Sequence, residues 1–251
     1  RFLLKYVDRQ PWPMPENDDL TLYQEQLGRG RLLHQWLARR QLGIDMSAFV
    51  AASDDRQLRE WWQAAQSFDL EELPGDLVEA ELPIVVPLGE HRLYARYDLL
   101  ALDYGGAAVI VDWKTLQSRP SERLLQQRWQ TRVYLYTVVA AGQVLTQGPP
   151  IDAAQACMVY WFTNFPNEPS TARYSPAQFA RDQTDLLALV REITELPREG
   201  FTITSETRHC RGCIYRSVCC GSSSAQGLNE AWLDEDIDFD IDLADIPELE
   251  Y

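Results

Sequence analysis

Asp112 and Lys114 stand two residues apart in VIVDWKT (109–115), a run otherwise suited to a buried strand. Successive strand side chains point to opposite faces, so Ile110, Asp112 and Lys114 share one side and Val109, Val111 and Trp113 the other. Burying charge is costly, so such a strand either uses its carboxylate and ammonium or holds them as a tight ion pair. Upstream, RYDLLAL places Asp98 near the end of a second strand-like run. A hairpin joining the two runs would gather Asp98, Asp112 and Lys114 into one cluster. Two converging carboxylates suit a hard cation: Mg²⁺ takes one or two of them, keeps several waters and accepts phosphate oxygens. The Trp113 carbonyl offers a further oxygen. Lys114 beside such an ion could orient or help deprotonate an attacking water and offset charge on the phosphate.

Two other elements would have to serve this cluster. Gln130 and Tyr134 lie at i, i+4 on a predicted helix, with Gln126 one turn earlier on the same face. These uncharged groups could position a phosphate or a water. GRLLH (30–34) puts His34 four residues after Gly30 on an earlier helix, where the glycine costs about 1 kcal/mol of helix propensity and hints at a close approach. Each feature also has an ordinary explanation. Asp112 and Lys114 alone could be a structural ion pair, Tyr134 a satisfied core tyrosine, His34 a packing residue and Asp98 a turn cap. Their conjunction in chain order is what points to a site.

The predicted elements are helices over 20–43 and 54–68, strands over 81–88, 92–102 and 107–115, a long helix over 121–141, a strand over 155–163 and a helix over 176–196. The short LGEH and DYGG breaks predict an antiparallel meander for the first three strands. This order gives an α/β fold, a central mixed β-sheet flanked by helices. It divides into a helical part (1–75) contributing His34, a core (76–200), a cysteine-bearing segment (201–224) and an acidic tail (225–251). Within the tail, DIDFDIDL alternates like a strand with one docked face, a pattern equally common in disordered acidic tails.

The 251 residues carry a net charge of −15, which alone argues against a nucleic-acid partner. The charge is uneven. Residues 230–251 hold ten acidic groups, and no Lys or Arg follows Arg216. Residues 113–135 run the other way, with Lys114, Arg119, Arg123, Arg128 and Arg132 against only Glu122, so a basic face able to contact phosphates is expected. No apolar stretch is long enough to span a membrane, and no signal-peptide layout opens the chain, so cytoplasmic placement is the expectation. No Walker-type phosphate loop occurs, hence no motor in this chain.

The series GRLLH, RYDLLAL, VIVDWKT and QTRVY resembles the PD-(D/E)XK nuclease superfamily, specifically its RecB-like branch. That resemblance implies a restriction-endonuclease-like core and Mg²⁺- or Mn²⁺-dependent cleavage of DNA. It implies His34, Asp98, Asp112 and the Trp113 carbonyl as metal ligands, Lys114 as the catalytic lysine, and Gln130 and Tyr134 as the helix motif beside DNA and active site. Glu81 falls where some members carry an extra acidic residue, in a supporting role. Exonuclease action on single-stranded ends is implied, in repair, recombination or CRISPR spacer handling, with a helicase or recombination partner. A catalytically inactive nucleic-acid-binding scaffold of the same fold is the alternative.

Cys210-x2-Cys213-x5-Cys219, flanked by His209 and Cys220, is a soft-ligand cluster suited to zinc or iron–sulfur. By resemblance to AddB-type and CRISPR-associated RecB-like exonucleases, the cysteine trio would hold a 4Fe–4S cluster. Its fourth ligand would be Cys220 or a cysteine upstream of Arg1. Zinc on Cys210, Cys213, Cys219 and His209 is the other reading. Cys157, inside a strand run, reads as a small buried apolar residue.

Overall fold

A computed structural model describes residues 2–9, 18–205, 215, 218 and 219, with side chains of the first long helix described from residue 25 onward. Cys210, Cys213, His209, Cys220 and the acidic tail lie outside the described residues. Among the described residues the chain forms two compact units, one of 2–9, 18–27 and 188–205 and one of 28–187. In the first, Arg198 pairs with Asp8 at 2.8 Å and Phe2 stacks on Phe201 with ring centroids 5.7 Å apart. The second holds the sheet and every residue of the candidate site.

The elements are α1 (Asp18–Gln41), α2 (Ser47–Ala52), α3 (Arg56–Ala65), β1 (Leu77–Leu88), β2 (His91–Leu102), β3 (Ala108–Lys114), α4 (Glu122–Gln127), α5 (Trp129–Ala140), α6 (Gly142–Thr146), β4 (Ala156–Phe162), β5 (Phe165–Arg173) and α7 (Pro176–Glu195). Five strands lie in the order β1-β2-β3-β4-β5. The first three form the expected antiparallel meander, β3 and β4 are parallel, and β5 returns antiparallel. A parallel neighbour requires a crossover, and α4, α5 and α6 supply it between β3 and β4. The expected mixed α/β architecture is therefore present.

Alternation on β3 and β4 sorts the core. Val111, Trp113 and Trp161 pack with Leu33, Trp36 and Leu37 of α1 and with Leu58, Trp61 and Ala65 of α3. The opposite face carries Ile110, Asp112, Lys114 and Tyr160 toward α5. Asp55 caps α3 by accepting from the Leu58 N–H at 3.0 Å, and its other oxygen takes Arg29 of α1 at 2.6 Å, so one carboxylate fixes the two helices together.

Three details depart from the sequence expectation. The predicted helix over 121–141 is two helices, because Arg128 is extended (ψ 141°) and separates α4 from α5. The carbonyl of Leu125, freed at that break, accepts from the Arg128 N–H at 3.2 Å and from the Thr131 hydroxyl. Gln126 therefore lies on α4, exposed, rather than one turn before Gln130 on the same helix. Asp98 sits well inside β2 rather than near its end. Finally, β5 went unpredicted: FPNEPSTAR contains two prolines, which an edge strand tolerates because half of its N–H groups need no ladder partner.

Candidate active site

Asp98 marks the point where β2 and β3 part. Their ladder ends at Leu99↔Val111, and beyond it the Asp98 carboxylate enters the gap and accepts the Trp113 backbone N–H at 2.9 Å. A side chain thus replaces the main-chain partner that the ladder would have given. On the other side of β2 the register passes from Ala80↔Leu99 to Leu82↔Tyr97 around Glu81, whose φ of +53° is left-handed. Such a backbone costs a non-glycine residue about 1 kcal/mol or more and persists where the surroundings enforce it. Its effect here is directional. Glu81 and Asp98 both meet His34, while Tyr97 turns to the α5 face and bonds Thr137 at 2.7 Å.

His34 reaches this gap from α1. The glycine four residues before it lies close to β3: a Cβ on Gly30 would stand 3.5 Å from the Thr115 hydroxyl, an ordinary contact. The ring nitrogens bridge two acceptors, with Nε2 donating to the Trp113 carbonyl at 3.0 Å and Nδ1 3.3 Å from Asp98 Oδ1. Burial acts to lower the imidazole pKa, but the charge and hydrogen bond of Asp98, helped by Asp112 and Glu81, push it up to about 9. For Asp98, burial acts upward, and the charge and hydrogen bond of His34, helped by Lys114 and the Trp113 N–H, hold the carboxyl below its usual range. Burial and the neighbouring Asp98 raise the Glu81 carboxyl, opposed by His34 and by Arg96, 3.3 Å away.

His34, Glu81 and Asp98 offer ligand atoms that all lie within 4.8 Å of one another. One imidazole and two carboxylates at that separation fit a divalent cation of the Mg²⁺ or Mn²⁺ kind. Asp112, expected beside Asp98 on one ion, is not one of these three donors and is held in an ion pair. Its carboxylate is 2 % exposed, lies 2.8 Å from Lys114 Nζ, and accepts from Gln130 Nε2 at 2.8 Å. Lys114 also donates to Gln130 Oε1 at 3.4 Å and sits 5.7 Å above the Tyr160 ring. The Gln130 amide therefore grips both members of a buried ion pair. The break at Arg128 sets the phase of α5 that makes this contact.

Tyr134, one turn later, hydrogen-bonds Gln130, and burial followed by the charges of Asp112 and Asp98 raises its phenol pKa. Tyr97 backs it edge-on, with centroids 5.2 Å apart. His34 and Tyr134 each feel the charge of both Asp98 and Asp112. The Trp113 peptide unit separates them.

A sequence model of the PD-(D/E)XK nuclease superfamily matches residues 1–220. The chain belongs to that superfamily. Its members are generally nucleases that use divalent metals, which agrees with the donor set of His34, Glu81 and Asp98. Among solved structures, one described as "Crystal structure of SSO0001" is similar at 16% identity and a TM-score of 0.38, over 57% of this chain and 61% of that chain. This chain thus spans about six-tenths of the length of that structure. No curated protein is similar enough to count as a match. Among the described residues, no helix is long and apolar enough to cross a membrane.

The basic face expected over 113–135 is largely committed to internal pairs in this superfamily member. Arg119 pairs with Glu168 at 2.9 Å, Arg132 pairs with Asp182 at 2.6 Å and Asp185 at 2.5 Å, and Arg128 is buried. Arg123 is exposed. Of the cysteine trio only Cys219 is described, half-buried with its N–H on the Tyr215 carbonyl at 3.0 Å. Cys157, expected to be buried, is half-buried in β4. Glu81 enters the donor group through a left-handed backbone that leaves no mark in residue type.

Proposed function

We propose that the protein is a divalent-metal-dependent deoxyribonuclease of the RecB-like branch, cutting single-stranded DNA from an end. The observation that carries this reading is the placing of the His34–Glu81–Asp98 donor group beside the Asp112–Lys114 pair, with only the Trp113 peptide between. His34, Glu81 and Asp98 would hold the cation, and Asp112 and the Trp113 carbonyl would complete its oxygen ligands on the β3 side. When bound, the ion supplies positive charge for the phosphate oxygens. Lys114 then orients the attacking water and offsets negative charge on the phosphate, held for this by the Gln130 amide and the Tyr160 ring. Tyr134 fixes Gln130, and Tyr97 fixes Tyr134.

The motif series supports the RecB-like assignment and, through it, an exonuclease working in repair, recombination or spacer handling with a helicase partner. The Cys210, Cys213, Cys219 spacing supports a 4Fe–4S cluster that staples the chain outside the sheet. Anaerobic iron, sulfide and zinc analysis separates that cluster from a zinc site. For the main reading, the test is cleavage of end-labelled oligonucleotides with Mg²⁺ or Mn²⁺. Asp98→Asn, Asp112→Asn and Lys114→Met should each abolish it. Full activity in Asp98→Asn together with Lys114→Met would refute the site.

A further inference from the structure

Trp129 opens α5 immediately before Gln130, the residue that holds Asp112 and Lys114. Four tryptophans of this unit, Trp36, Trp61, Trp113 and Trp161, are buried, whereas Trp129 is 45 % exposed. The exposure is not that of a loose side chain. The Arg132 guanidinium lies over the indole at 4.4 Å from the ring centroid. Arg132 is itself clamped by Asp182 and Asp185, and the buried Asp182 also accepts from the Tyr174 hydroxyl at 2.8 Å. One part of the ring therefore rests on a fixed planar cation while the remainder stays in water, with its orientation set in advance.

Two further exposed side chains lie close by in the chain. On α4, Leu124 is 45 % exposed, and Arg123 is exposed and makes no ion pair among the described residues. An exposed aromatic plane of fixed orientation is what an unpaired base stacks on, and an exposed cation on the preceding helix suits a phosphate. A duplex keeps its base faces stacked on one another and would leave this plane without a partner.

We propose that Trp129 is a stacking platform for one unpaired base of the strand being cut, next to the bond that the Asp112–Lys114 side attacks. This deepens the proposed nuclease reading and rests on it. Stacking accepts any base, so the contact favours single strands over duplex without sequence preference. Arg132 serves as the platform's support and, being neutralised by two aspartates, not as a phosphate contact.

The test is an abasic scan. A short single-stranded deoxyoligonucleotide is made with one base removed at each position in turn, and binding is measured by fluorescence anisotropy in EDTA, followed by cleavage in Mn²⁺. For the wild-type protein, loss of one particular base should weaken binding about tenfold. Trp129→Leu, which keeps apolar area without a π-face, should bind the intact strand as weakly and become indifferent to the missing base. Trp129→Phe should keep most of the affinity and the same position dependence. A flat scan in the wild type, or an unchanged scan in Trp129→Leu, overturns the platform while leaving cleavage intact. Absence of any metal-dependent cleavage by the wild type overturns the nuclease reading instead. Should Trp129→Leu fail to fold, Trp129→Met takes its place with the same expectation, since it too lacks a π-face.

Discussion

Two carboxylate–cation pairs flank the Trp113 peptide, and they are built on different terms. Asp98 and His34 come from different elements, 64 positions apart in the chain, and meet beside a third acid, Glu81. Asp112 and Lys114 come from one strand, two residues apart, and are closed over by Gln130 and the Tyr160 ring. The first pair uses a cation that can give up its proton at mildly alkaline pH, or to an incoming metal, and leave a nitrogen ligand behind. The second uses an ammonium that cannot leave without stranding a buried charge. One side is arranged for exchange of a cation, the other for a fixed charge.

Breaking the fixed pair should have the largest effect. Lys114→Met leaves Asp112 buried without its cation, which should cost about 3–5 kcal/mol in chemical denaturation and reduce cleavage by about 10²-fold or more. Asp112→Asn combined with Lys114→Met should recover part of the stability and none of the activity. If the single and double variants unfold alike, the pair is not the buried unit described. Next in size, Gln130→Ala removes the amide that grips both partners, and a loss of about 10- to 100-fold in activity is expected with little change in melting temperature. A matching loss in stability would make Gln130 a packing residue only.

The exchangeable pair is probed by pH. With its pKa near 9, His34 is protonated at pH 7, so a metal taking its ring nitrogen must expel a proton. Mn²⁺ affinity should therefore rise from pH 7 to 9 and level off above, and calorimetry in buffers of different ionisation enthalpy should show about one proton released per ion at pH 7. A proton count of zero would take His34 out of the ligand set. Without metal, the raised imidazole pKa contributes stability that is complete below pH 6.5 and lost as pH rises through about 9. The lowered Asp98 pKa contributes above pH 3.8 and is lost as pH falls through its folded value. His34→Ala should flatten the alkaline arm of the melting profile.

Glu81→Gly sharpens the comparison by separating stability from function at one residue. Glycine relieves the left-handed backbone and removes a carboxylate from beside Asp98, so stability should rise by up to about 1 kcal/mol while Mn²⁺ affinity falls. A variant that loses stability would show that the Arg96 ion pair outweighs the backbone. The smallest effect is expected for Arg119→Ala, whose partly exposed pair with Glu168 should contribute less than about 1 kcal/mol.

These contrasts were unequally legible in the sequence. The Asp112–Lys114 side could be read almost whole, because strand alternation fixes which residues share a face. The three-strand meander followed from two short turns. The Asp98 side could not be read in the same way. Its geometry depends on where the β2–β3 ladder stops and on a left-handed residue in β1, and neither has a signature in residue type. The same holds for the helix over 121–141. Its apolar spacing continues past Arg128 with no Gly or Pro to signal a stop, and tertiary packing of Thr131 on Tyr160 decides the break.

That single extended residue has an evolutionary consequence. In one continuous helix, adding or deleting a residue rotates everything beyond it by about 100°, which would swing Gln130 away from the lysine. With Arg128 acting as a joint, the rotational phase of α5 is decoupled from that of α4. The length and composition of the outer segment can drift, remodelling whatever surface it presents, while the amide that steadies the site keeps its aim.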